Sequence, residues 1–138
     1  MQTPGFWRLN SLRRFNCYCD YENVRMQRSS LKGPFFLHDE DIDREVEPDR
    51  PGVFLLGGSG VFSLSDARVG RSDTNLNNQL HVYVGSYRYF SFQYCSSAQE
   101  SFEAECDLFH DVKPHDNSVH PARITGTEWK CPRCKLFG

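Results

Sequence analysis

No run of about eighteen apolar residues occurs in the chain, so no segment reads as a membrane-spanning helix. No apolar core follows the opening residues MQTPGFWRLNSLRR, which argues against a secretory signal and sets the expectation of a reducing, cytoplasmic setting. Internal repeats and low-complexity tracts are missing as well, so a repeat array is not expected. The net charge is only −2, and no global basic field announces a nucleic-acid partner, although a local basic groove is compatible with a neutral total. What is present is 138 residues, enough for one domain with its own core, and a generous supply of aromatics: eleven Phe, six Tyr and two Trp. The six cysteines are Cys17, Cys19, Cys95, Cys106, Cys131 and Cys134. In a chain without a signal they read as metal ligands or buried thiols rather than as a disulfide framework.

Charge is unevenly distributed. Residues 1–34 carry six Arg/Lys against two acids, residues 35–50 seven acids against two Arg, and residues 51–138 eight bases against nine acids. The expected organisation is therefore an N-terminal extension (1–50) with a basic arm and an acidic, solvated linker, DEDIDREVEPD, followed by a domain over 51–117 and a cysteine-containing tail over 118–138 packed on it.

Local patterns predict the elements of that domain. GVFLLG (52–57) is a short apolar run bounded by glycines, a buried strand, and VFSLS after a Gly-Ser-Gly turn predicts a hairpin partner over 61–69. Leu76 and Leu80 are spaced for a short helix. RYFSFQYC (88–95) alternates as a strand does. Ser97 and Glu100 form a capping-box pattern that opens a helix over 97–113, with Ala98, Phe102, Phe109 and Val112 as its inward stripe and Pro114 as its stop. The expected class is α+β, a three-stranded, mainly antiparallel sheet flanked by helices.

That helix carries the chemistry. At about 100° per residue Glu105 falls at the centre of the apolar stripe, where a carboxylate must be paired, protonated or metal-bound. Cys106 and His110 are one turn apart on its flank. With Cys131-Pro-Arg-Cys134 they supply the four donors of a tetrahedral zinc site. His120, in VHPAR, is a fifth candidate for the four places, and Cys17 and Cys19 are further competitors.

Over residues 52–117 the chain resembles a GIY-YIG nuclease domain. Gly52-Val53-Phe54 stands in the place of the GIY tripeptide and Arg68-Val69-Gly70 in that of YIG. Asn75-Leu76 with Gln79-Leu80 resembles the Asn-Leu-x-x-Arg-Leu helix, and Glu105, Leu108, Pro114 and Asn117 keep the family's Glu-x2-Leu and Pro-x2-Asn spacing. The ending HPARITGTEWKCPRC resembles a zinc-tailed subgroup. The resemblance implies a metal-dependent phosphodiesterase acting on DNA or RNA, in which the glutamate, here Glu105, holds Mg²⁺ or Mn²⁺ at the scissile phosphate.

The chain departs from the family where its reactive groups belong. The first tyrosine is Phe54, the second is Arg68, the helix arginine is Gln79, and a family histidine slightly further on is Tyr83. Arg68 and Arg71 flank Gly70, and either guanidinium could clamp a phosphate. The expectation is an endonuclease with an altered site built on Glu105, Arg71, Arg68, Phe54, Gln79 and Asn117. The alternatives are a catalytically inactive module of the same fold that binds nucleic acid or a protein, and a zinc-stabilised interaction protein.

Overall fold

The computed structural model describes residues 30–58, 67–114 and 118–137. Seven elements follow in order: strand β1 (Lys32–Phe36), helix α1 (Asp39–Glu45), strands β2 (Gly52–Gly57) and β3 (Arg68–Ser72), helix α2 (Leu76–His81), strand β4 (Tyr89–Tyr94) and helix α3 (Ala98–Val112). The class is α+β, as the patterns predict. The sheet has four strands instead of three, in the order β1-β4-β2-β3, and every pairing is antiparallel.

Strand β2 holds the centre because all six of its residues are buried, as its uninterrupted apolar run requires. Phe54 pairs with Phe92 of β4 on one side and with Gly70 of β3 on the other. The strand on that side is β3, Arg68–Ser72, which shares only residues 68 and 69 with the expected 61–69; residues 61–66 lie outside the described ones.

The additional strand comes from a segment read as part of the basic arm. Lys32-Gly-Pro-Phe-Phe pairs with β4 at the sheet edge, where the missing amide of Pro34 removes no bond that a central strand would need. The acidic run also departs from its reading as a linker. Residues 39–45 form a helix that lays Ile42 into the core, with Leu37 and Val46 beside it. Asp39, Glu40 and Asp43 face water and Ile42 does not, so burial of an apolar side outweighs a charge pattern that suits a solvated tether.

Each face of the sheet has its own core. Phe54, Leu56, Phe90 and Phe92 pack against α1 and α2, while Val53, Leu55 and Val69 pack against Ala104, Leu108 and Val112 of α3. Helix α3 begins as its sequence predicts: the Ser97 hydroxyl accepts the Glu100 amide at 3.1 Å. The reciprocal half of the box is shifted by one residue, since the Glu100 carboxylate accepts the amide and hydroxyl of Ser96. A left-handed Lys113 and then Pro114 end the helix.

The inward stripe is distributed differently from the expectation. Phe102 is fully buried, but under the tail, against Trp129 and Phe137, and not on the sheet. Phe109 and Ala98 are only half-buried. The sheet-facing stripe is Ala104, Leu108 and Val112, so α3 is covered on two sides.

Candidate functional site

Two sites meet on α3. The first is a cleft of about 310 Å³ along the outer edge of β3, lined among others by Phe54, Arg68, Gly70, Arg71, Gln79, Tyr83 and Glu105. The fold thus gathers most of the residues that the sequence motifs single out. Asn117 lies outside the described residues.

Helix α2 brings Gln79 to one wall: Leu76 and Leu80 anchor the helix in the core, Gln79 stands on the flank of that face, and Asn75 caps the start. Phe54 is buried, with its ring directly over Gly70: a Cβ at Gly70 would stand 2.4 Å from the ring's Cζ. Strand alternation then sends Arg71 to the α3 side of the sheet.

Arg71 meets Glu105 there. Arg71 Nη1 lies 2.6 Å from Glu105 Oε1, Nε lies 2.7 Å from Asp73 Oδ1, and Nη2 donates to the Ala122 carbonyl at 2.8 Å. Its guanidinium stands 5.3 Å from the Phe102 ring centre. Burial works against the Arg71 charge, but Asp73 and Glu105 together hold its pKa above the ordinary arginine value. Glu105 is 8% exposed. Burial raises its carboxyl above the usual glutamate range, and Arg71 opposes that rise.

The other cleft arginine is differently placed. Arg68 Nε donates to the Tyr87 hydroxyl at 3.3 Å and its guanidinium lies 5.4 Å from the Tyr83 ring centre. Among the described residues it has no carboxylate partner.

The arrangement does not fit Mg²⁺ or Mn²⁺. Such ions need several oxygen ligands in near-octahedral geometry. Here Arg71 already engages both Glu105 and Asp73. The described residues place only one group of three or more donors close together, and it lies elsewhere.

That group is the second site. His110, His120, Cys131 and Cys134 each bring a donor atom, all within 4.8 Å of one another. The cluster could hold a metal such as zinc. Two imidazoles and two thiols are a tetrahedral zinc set. His110 Nε2 is buried with no hydrogen-bond partner among the described residues, which is costly for a ring nitrogen unless something else completes it. Burial and then His120 hold the His110 ring pKa below its ordinary value, favouring the neutral form that a ligand needs. His120 Nδ1 lies 2.9 Å from the Pro121 carbonyl, so that nitrogen carries the proton and Nε2, 3.4 Å from Cys134 Sγ, is left with its lone pair. The Arg133 amide donates to Cys131 Sγ at 3.3 Å, as suits a thiolate in a tight turn.

The group that could hold a metal differs by one residue from the Cys106, His110, Cys131 and Cys134 read from spacing: His120 stands in it and Cys106 does not. Cys106 sits behind Cys131, wholly buried with Phe102, and burial with the neighbouring Cys131 pushes its thiol pKa up. A helical turn separates Cys106 from His110 by about 6 Å along the axis, and the tail brings His120 alongside the His110 end. Cys17 and Cys19 lie outside the described residues. Sequence reasoning missed Asp73 and Ala122 altogether. Asp73, two residues beyond Arg71, carried a readable signal, whereas a backbone carbonyl 51 positions away carried none.

Comparison with protein families, with characterised proteins and with solved structures finds no match to this chain.

Proposed function

We propose that this chain is a non-catalytic binding module of GIY-YIG type, its tail stapled by zinc, whose cleft takes a phosphate group of nucleic acid. One observation carries the reading: Arg71 engages both cleft carboxylates, and Arg68 stands in the same cleft with no carboxylate partner among the described residues. A guanidinium so placed, with its position supported by Tyr83 and Tyr87, matches a phosphate oxygen pair.

Catalysis finds little support. Phe54 has no hydroxyl to activate water, Gln79 cannot balance a phosphate charge, and the Glu105 carboxylate is tied to Arg71. Losing one such group commonly costs two to three orders of magnitude in rate. Residues 118–137, of which Ala122 lines the cleft, carry four Arg/Lys against one Glu in a chain of near-neutral total charge.

Titrating labelled single- and double-stranded DNA and RNA at low and moderate salt tests the reading. Binding should weaken as salt rises and should fall roughly tenfold in Arg68→Ala. No cleavage is expected with Mg²⁺ or Mn²⁺. Affinity indifferent to Arg68→Ala would remove the cleft from the function. Cleavage that disappears in Glu105→Gln would establish the metal-dependent hydrolase reading instead.

A further inference from the structure

We infer that metal in the tail sets the affinity of the cleft, through a short line of polar contacts running from the His120 ring to the Glu105 carboxylate. The inference rests on the anion-binding reading of the cleft and adds how that binding is regulated.

Each link is a contact. His120 contributes to the four-donor group, and its Nδ1 lies 2.9 Å from the Pro121 carbonyl. The next residue, Ala122, turns its carbonyl to Arg71 Nη2 at 2.8 Å and forms part of the cleft wall. The same guanidinium reaches Glu105 at 2.6 Å and Asp73 at 2.7 Å. A single residue, Pro121, therefore separates a metal donor from the wall of the cleft.

The metal matters because the tail has few other anchors. Residues 118–137 contain no helix or strand. Besides the four-donor cluster, they are held by Trp129 and Phe137 against Phe102, by the half-buried Arg133–Asp107 pair at 3.6 Å, by His120 against Phe109, and by single hydrogen bonds such as Arg71 to Ala122 and Arg123 to the Trp129 carbonyl. Holding a backbone segment still costs entropy at every residue, and partly exposed ion pairs return little of it. The metal is the strongest of these anchors. When it leaves, Ala122 withdraws, Arg71 Nη2 loses its acceptor, and water enters along that side. The Arg68 charge is then better screened and holds an anion less tightly. Linkage makes the effect reciprocal, so an anion in the cleft must tighten the metal by the same factor.

The experiment compares zinc-loaded and chelator-treated full-length chain. Amide exchange should rise in 118–137 and, with it, in 68–73. A short fluorescein-labelled single-stranded DNA should bind about tenfold more weakly, as for loss of one hydrogen bond to a charged group, and zinc should reverse both changes. Zinc affinity, measured against a competing chelating dye, should rise by the same factor when the DNA is present. Arg71→Lys keeps the charge but lacks the fork that spans Glu105, Asp73 and Ala122, so it should retain zinc and lose the metal dependence of DNA affinity. Free exchange in 118–137 with unchanged protection at 68–73 would overturn the coupling, as would equal DNA affinity with and without metal. Should the DNA bind neither form, the proposed function fails, while exchange at 68–73 still decides the coupling. Should the metal-free chain unfold throughout, Arg71→Lys at full zinc decides: faster exchange at 122–124 supports the coupling and unchanged exchange refutes it.

Discussion

The Arg71 guanidinium closes on the Glu105 carboxylate at 2.6 Å, joining strand β3 to the helix that covers it. Both side chains are nearly out of water, with 12% and 10% of their surfaces exposed. Deleting one partner of such a pair leaves the other charge buried and alone. Arg71→Ala and Glu105→Ala should each destabilise the fold by about 3 kcal/mol, and the combined Arg71→Met, Glu105→Leu variant should lose less than either. Urea denaturation of the three variants checks this; additive losses would show that the two groups do not act as a pair.

Substitution separates the residues that could hold the metal from their neighbours. His120→Ala and Cys134→Ser should lower bound zinc well below one ion per chain, while Cys106→Ser should keep it, since that thiol stands behind Cys131 and outside the four-donor group. Elemental analysis gives the stoichiometry, and cobalt substitution should give the absorption of a tetrahedral site with two nitrogens and two sulfurs.

Stability should depend on pH through His81, which bridges two helices. Its Nδ1 lies 2.6 Å from Asp39 and its Nε2 2.9 Å from Asp43. Burial disfavours the charged ring, but hydrogen bonds to Asp43 and Asp39 outweigh it and raise the pKa above 6.5. A raised histidine pKa stabilises the fold fully below the unfolded value, and that contribution disappears as pH climbs through the folded one. The urea midpoint should therefore fall as pH rises from about 6 into the alkaline range, and His81→Gln should flatten that fall. At the acid end, hydrogen bonds from His81 and Asn77 lower the Asp43 pKa below 3.8, so its contribution fades as pH drops through that region.

Phe102 joins the helix to the tail. Phe102→Ala should cost about 3–5 kcal/mol, the usual range for a buried aromatic. It should also weaken zinc retention, because Trp129 and Phe137 lose the ring they pack against. Leu108→Ala, facing the sheet, should cost stability and leave zinc retention unchanged. Chelator titration of both variants separates the two faces.

Helix α3 and the central strand were readable because their signals are local: a cap, a periodic stripe and a stopping proline in one case, an apolar run in the other. The placement of Glu105 in a mostly apolar stripe shows that it needs a partner, and Arg71, the residue directly after the Arg-Val-Gly motif, is a visible candidate. Strand β1 was hidden because its stability comes from β4, some 57 residues away, and Lys-Gly-Pro carries no strand preference of its own. The acidic helix was obscured by its charges, although Leu37, Ile42 and Val46 mark an apolar side. The place of His120 is hidden because a one-turn spacing such as Cys106 to His110 is visible in sequence, and the fold of an irregular tail is not.

Two-sided burial of α3 changes what a shortened chain would be. Cut after residue 117, the protein would keep its sheet and the Leu108 side of the helix, yet Phe102 and Cys106 would be bared together on the opposite side. A helix surface that exposes a phenyl ring and a thiol invites self-association and oxidation. The tail thus serves as a built-in cover, and material lacking it should be recovered as oligomers under air and as more monomer under reducing conditions.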